Sequence, residues 1–252
     1  MRFSGRTILV TGASEGIGRA VTQGLAREGA HVVMVARRPD VLESAAAAIR
    51  AEGGSCETAC FDVADTAAFE GLIADLGRRG RLDGLVNNAF VSHQAPIEET
   101  TLEDWRRVFT VNVEAVFVGV RAALPVMKAQ GGGAIVNIAS VSGVRARMGA
   151  AAYSASKAAV IHLGAIAAIE GAAHNVRVNS VVPGATKSAS FKRAFADWTE
   201  AEFKAMGSEQ IPLGRFAEPE DVAKGVIFLL SDDAGFVTGE ALRVEGGAYW
   251  KR

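Results

Sequence analysis

The chain has 252 residues, 49% of them hydrophobic and 22% charged, which excludes a disordered protein: that would need few apolar residues and a large net charge. Its 27 basic and 28 acidic residues leave a net charge of −1, so no global electrostatic attraction to nucleic acid or to an anionic membrane is expected. Two cysteines, Cys56 and Cys60, are too few for a disulfide scaffold or a cysteine-rich zinc module, and no metal site is expected.

Taken in order, apolar runs alternate with helical patterns. Thr7–Thr11 (TILVT) reads as a buried strand and Gly16–Glu28 as a helix. His31–Ala36 (HVVMVA) is a strand, Val41–Ala51 a helix and Glu57–Phe61 a weaker strand. Thr66–Arg78 is helical, Leu82–Asn87 a strand and Leu102–Lys128 one long helix. Strand Ala134–Ala139, helix Tyr153–Gly171, strand Val176–Val182, helix Pro219–Leu230 and strand Ala241–Val244 complete the series. Continuous β-branched runs suit strands covered on both faces. Their alternation with helices predicts βαβ units and an α/β fold with a mostly parallel, doubly wound sheet.

One segment breaks the rhythm. Residues Ala185 to Leu213 separate a strand from the next helix, and Phe191, Phe195, Trp198 and Phe203 alternate there with charges. Short amphipathic helices forming a substrate lid are expected. The aromatic residues fit either an apolar lid underside or packing within the lid itself.

Met1 to Val10 lacks the apolar core and cleavage site of a signal peptide. The apolar stretch Ala150 to Ala173 contains Tyr153, Ser154, Ser156, Lys157, His162 and Glu170, too many polar groups for a cheap membrane span. A cytoplasmic protein without membrane attachment is expected. The helix Tyr153–Gly171 is apolar nearly all round, so one face needs cover beyond the sheet. A homodimer or homotetramer through this helix supplies it; the alternative is cover by the Leu102–Lys128 helix alone.

The segment Thr11-Gly12-Ala13-Ser14-Glu15-Gly16-Ile17-Gly18 ends the first strand and opens the first helix. Gly12 takes the tight turn, Gly16 admits a pyrophosphate close to the backbone, and Gly18 permits close helix–strand packing. The helix N-terminus offers free N–H groups to phosphate. Ser14, Glu15 and Ile17 belong to the same cradle and are expected among the cofactor contacts. A glycine triplet alone is weak, but its place between a strand and a helix reads as dinucleotide binding.

The end of the second strand chooses the cofactor. A carboxylate there accepts from the ribose of NAD. Here stands Ala36, followed by Arg37 and Arg38, which suits the 2′-phosphate of NADP(H). NADP(H) is therefore favoured over NAD(H), with Arg37 as the main contact. Glu15 would repel that phosphate unless Arg37 pairs with it.

Tyr153 and Lys157 stand four apart on one helix and share a face. A nearby ammonium and an oxidised nicotinamide favour a phenolate, which would let Tyr153 act as general acid in reduction and general base in oxidation. Ser140 lies just past a strand end, at the carboxyl edge where open α/β sheets bind ligands. Asn112 sits inside a helical segment, against its propensity, and is expected to hold a water against Lys157.

These motifs, with Asp62-Val63, Asn87-Asn88-Ala89 and Pro183-Gly184, resemble the short-chain dehydrogenase/reductase family over the whole chain. The resemblance implies one Rossmann-like domain, residues 1–252, with a seven-stranded sheet flanked by helices and a lid at about 185–213. It implies a tetrad of Asn112, Ser140, Tyr153 and Lys157. Tyr153 would be the acid/base, and Lys157 would bind the nicotinamide ribose. Ser140 would orient the substrate, and Asn112 would anchor a relay water. It further implies that Asp62 meets the adenine amino group beside Val63, that Asn88 and Ala89 line the adenosine, and that Thr186 and Ser188, after Pro183-Gly184, contact the nicotinamide end. Dimers or tetramers through the tyrosine helix agree with the apolarity argument. Phe90 departs from the pattern by replacing the glycine of Asn-Asn-Ala-Gly, Ser188 stands for a threonine, and Glu245-Gly246-Gly247 replaces Asp-Gly-Gly.

The substrate pocket is expected between the Phe90–Pro96 loop, the Val141–Gly149 loop and the lid. Arg145 or Arg147 can bind a substrate carboxylate, or lie solvated. His93 lines the pocket or is exposed, and Lys187, Lys192 and Arg193 put positive charge on the lid. The favoured function is an NADP(H)-dependent oxidoreductase interconverting a secondary alcohol and a ketone. Alternatives are an NAD-dependent catabolic alcohol dehydrogenase, a 3-oxoacyl thioester reductase and, remotely, an idle cofactor-binding scaffold.

Overall fold

β-Branched runs such as HVVMVA form strands only where both faces are covered. The computed structural model, which describes residues 1–250, shows that cover. Strands β1 (Thr7–Thr11), β2 (His31–Ala36), β3 (Ser55–Cys60), β4 (Gly84–Asn87), β5 (Gly133–Ile138), β6 (Val176–Pro183) and β7 (Ala241–Val244) form one sheet. Their order is β3-β2-β1-β4-β5-β6-β7, and every neighbouring pair is parallel. The helices are α1 (Gly16–Arg27), α2 (Pro39–Ala51), α3 (Thr66–Arg78), α4 (Leu102–Phe109), α5 (Ala115–Ala129), α6 (Ala151–Ala172), α7 (Ala189–Ala194), α8 (Glu200–Gln210) and α9 (Pro219–Leu230).

Alternation along the strands sorts the core into two layers. Ile8, Val10, Val32, Met34 and Val136 meet Val21 and Leu25 of α1, Leu42 and Ile49 of α2, and Val226 of α9. Leu9, Val33, Leu85 and Ile135 meet Phe69 and Ile73 of α3, Val120 of α5 and Val160 of α6. This is a Rossmann-like, doubly wound sheet, parallel throughout where it was expected to be mostly so.

Several boundaries shift for local reasons. Pro39 opens α2 two residues early because its fixed φ suits the first helical turn. β3 starts at Ser55, pairing with β2 from His31–Ser55 to Ala36–Cys60. Leu82 and Asp83 precede β4: the Leu82 N–H donates to Gln130 Oε1 (3.2 Å), and Asp83 Oδ2 accepts from the Thr7 N–H (2.8 Å). The single helix expected over Leu102–Lys128 is interrupted by a π-helical turn at Thr110–Glu114, which contains Asn112.

In the lid segment, Phe191, Phe195, Trp198, Phe203 and Phe216 pack on one another, with ring centroids 4.7 Å apart for Phe191–Phe195 and 4.6 Å for Phe195–Trp198. They form a small core of their own rather than an apolar lining. The α4–α5 run and α6 are each long and apolar enough to cross a membrane by length and composition; here both pack on the sheet.

Candidate active site

The strand order reverses around β1, whose neighbours are β2 and β4, and the carboxyl ends of these strands open a crevice suited to a ligand. Gly12, at φ +64°, begins the loop there, and a Cβ on it would lie 2.7 Å from Asn88 Nδ2. A Cβ on Gly18 would fall 2.2 Å from the Gly12 carbonyl oxygen, so nothing larger than glycine fits. Asn88 ties this loop down: its Nδ2 donates to the Thr11 carbonyl (2.8 Å) and the Gly12 carbonyl (3.1 Å). Thr11 Oγ1 accepts from the Asn88 and Ala89 N–H groups (2.9 and 3.1 Å). The first backbone bond of α1 runs from Arg19 to the Glu15 carbonyl (3.2 Å), which leaves the N–H groups of Gly16, Ile17 and Gly18 for an anion. Ser14 is buried within the same turn. A cradle that a Cβ would fill, with free amides at a helix N-terminus, fits a dinucleotide pyrophosphate.

At the end of β2 the two arginines diverge, because successive extended residues point to opposite sides. Arg38 pairs with Glu15, and Arg193 of α7 reaches the same carboxylate at 3.4 Å. Burial works to raise the Glu15 carboxyl, but these two guanidinium groups outweigh it and hold it below the usual carboxylate range. Arg37 turns the other way, to Asp62 Oδ2 (3.3 Å). The cation that pairs with Glu15 is therefore Arg38, and not Arg37. Asp62 also accepts from the Ala64 N–H (3.0 Å), and Val63 is buried against the core below it.

Tyr153 and Lys157 project from α6, as their spacing predicts. Ser140 follows β5, and its Oγ accepts from the Ser142 N–H (3.1 Å), capping a short 3-10 turn at Val141–Gly143. Gly143 brings that turn onto α6, where a Cβ would meet the Lys157 carbonyl carbon at 2.7 Å. Burial pushes the Tyr153 phenol above its ordinary pKa, while the neighbouring Ser140 hydroxyl and the Arg147 charge pull it down. Lys157 is 2% exposed, and burial lowers its ammonium to about 7. Its Nζ donates to the Ile138 carbonyl (2.7 Å) and lies 5.7 Å from the centre of the Phe90 ring.

Asn112 is completely buried, but it is not aimed at Lys157. Its Oδ1 accepts from the Val91 N–H (2.9 Å), and its Nδ2 donates to the Val91 carbonyl (2.9 Å) and to Ser156 Oγ (3.0 Å). Through these bonds the Asn112 side chain staples the loop after β4 to α6. Ser156, whose hydroxyl donates to the Tyr153 carbonyl (2.7 Å), is a member that sequence reasoning missed. Its position one residue before Lys157 was the available signal.

A cavity of about 140 Å³ opens beside Tyr153, lined by Phe90, Ser92, Gln94, Arg147, Ala150 and Tyr153. Both expected loops contribute to this lining, and the lid does not. The Phe90 ring stands in the wall, its centre 6.2 Å from that of Tyr153. His93 turns out of the cavity, with Nδ1 3.4 Å from Asp104 Oδ1. Pro183 ends β6, and the Gly184 N–H bonds the Val244 carbonyl (3.0 Å). Thr186 Oγ1 donates to the Gly184 carbonyl (3.0 Å), and Ser188 caps α7 by accepting from the Phe191 N–H (3.3 Å). Thr186 and Ser188 thus shape the loop that leads into α7. A half-buried phenol next to a hydroxyl, with a buried amine behind it and a phosphate cradle alongside, is equipped to move a proton to or from a substrate oxygen.

A family model described as enoyl-(acyl carrier protein) reductase matches residues 12–249. The chain is 39% identical over 246 residues to a gluconate 5-dehydrogenase of Gluconobacter oxydans, covering 97% of this chain and 95% of that protein. It is 38% identical over 247 residues to a cyclopentanol dehydrogenase of a Comamonas species, covering 98% of each. A solved structure of a gluconate 5-dehydrogenase from Burkholderia cenocepacia, in complex with NADP and tartrate, superposes with a TM-score of 0.91 at 33% identity, covering 100% of this chain and 98% of that one.

Proposed function

Because the chain belongs to the short-chain dehydrogenase/reductase family, an NAD(P)-dependent group of oxidoreductases acting on alcohols and carbonyls, we propose that it interconverts a secondary alcohol and a ketone with NADP(H). The observation that carries this reading is the Tyr153 phenol at the cavity wall, beside Ser140 and in front of buried Lys157. When bound, the nicotinamide supplies or accepts the hydride. Tyr153 gives its phenolic proton to the substrate oxygen in reduction and takes it back in oxidation. Ser140 holds that oxygen as charge develops on it. Lys157 stabilises the phenolate from behind, and Asn112 and Ser156 keep the loop and helix in register.

The preference for NADP(H) rests on Arg37 and Arg38 where a carboxylate would favour NAD. The ion pair of Arg38 with Glu15 favours a second reading, with NAD(H), because that guanidinium is already neutralised. Residues 1–252 then work as one domain, cytoplasmic, with 185–213 as its lid. The outer face of α6 bears exposed Ile166 (45%) and Ile169 (80%) and is the proposed seam of a homodimer or homotetramer.

Consumption of NADPH and NADH by the purified protein against ketones, keto acids and oxoacyl thioesters tests the reaction. In Tyr153→Phe the rate is expected to fall about 10²- to 10⁴-fold, the usual worth of a positioned acid/base. Equal rates in wild type and variant would remove Tyr153 from the chemistry.

A further inference from the structure

Resting on the alcohol–carbonyl reading above, we propose that the substrate is a compact hydroxy acid, or the matching keto acid, whose carboxylate is held by Arg147 while its hydroxyl or carbonyl faces Tyr153. Arg147 is the charged member of the cavity lining. Three other cations of the neighbouring segments, Lys187, Arg193 and Arg145, are engaged elsewhere. Lys187 lies 3.1 Å from Glu200 and 3.6 Å from Glu218, Arg193 meets Glu15, and Arg145 donates to the Ala248 carbonyl (3.0 Å). Among the described residues no carboxylate stands within ion-pair distance of Arg147. Its planar fork of N–H donors matches a carboxylate bidentately.

Lys157 cannot answer the anion instead. It lies behind the Phe90 ring, nearly fully buried, and does not line the cavity. Size narrows the class further. A cavity of roughly 150 Å³ accommodates a molecule about as large as benzene. The 140 Å³ here gives room for a short chain or small ring spanning from Tyr153 to Arg147. Ser92 and Gln94 add neutral hydrogen-bonding groups along the same wall, suited to further hydroxyls. Arg147 and Tyr153 line the same cavity, so one small molecule within it can meet both.

The test compares kcat/KM for short hydroxy acids of about four to six carbons, chosen to match the cavity, with that for their primary amides, which have the same shape and no charge. Wild type is expected to prefer the acid about tenfold or more, the usual worth of a hydrogen-bonded charge. Arg147→Met is expected to bring the acid-to-amide ratio close to one, mainly through KM, and Arg147→Lys to restore part of it. Arg147 is exposed, so the variants should fold, which a melting curve checks. An unchanged ratio in Arg147→Met, or equal use of acid and amide by wild type, overturns the proposal. Turnover of neutral alcohols that depends on Tyr153, with no turnover of any acid, overturns this inference alone. Turnover that survives Tyr153→Phe overturns the reading beneath it.

Discussion

Lys157 shows how one residue can be expensive to fold and useful afterwards. Its ammonium, ordinarily at 10.5, is lowered to about 7 by burial. Between those values the unfolded chain binds a proton that the folded protein does not, so stability rises with pH across that window. The penalty is full below about 7 and fades as the pH approaches 10.5. Melting temperatures of the cofactor-free protein should therefore climb with pH in wild type and climb less in Lys157→Met; parallel curves would count against a buried charge. Arg38 is the other residue with a legible consequence. Its removal takes a cation from the proposed 2′-phosphate site and exposes that site to the Glu15 carboxylate. Arg38→Ser should weaken NADPH binding by about tenfold while leaving NADH nearly unchanged, as read by nucleotide fluorescence titration. Unchanged NADPH affinity both in this variant and in Arg37→Ser would favour the NAD(H) reading.

At the scale of an element, α6 has two roles. Its inner face carries Lys157, Ser156 and Val160 into the interior, and its outer face leaves His162, Ile166 and Ile169 in solvent. A helix apolar all round is expected to be covered all round. Ile169→Glu should lower the mass seen by analytical ultracentrifugation without changing the helical content; an unaltered mass would place the seam elsewhere. The tyrosine–lysine pair on this helix was legible because a spacing of four survives any regular α-helix. The π-helical turn that holds Asn112 was not, because Leu102–Lys128 keeps its apolar character straight through the interruption. The partners of the residue in that turn lie outside the helix, in the paired bonds to Val91 and the bond to Ser156. The same limit applies to Arg37 and Arg38. Their presence could be read from the chain, but their partners, Asp62 and Glu15, come from separate loops and required the fold.

For the whole molecule, the strand–helix alternation carried the architecture, since parallel strands buried on both faces leave a strong apolar signature. Strand order was less visible, because β1 and β4 are neighbours in the sheet and far apart in the chain. That separation has a consequence for synthesis. Ile8 pairs with Gly84 and Val10 with Val86, so one edge of β1 has no partner until β4 has left the ribosome. Meanwhile β1, β2 and β3 can already assemble, exposing a flat apolar edge that is an efficient template for joining two nascent chains. Closing it requires a long-range parallel pairing, which is slow. The interval between the emergence of β3 and that of β4 is thus a window in which the nascent chain is open to such pairing, and in which a chaperone has an edge to protect.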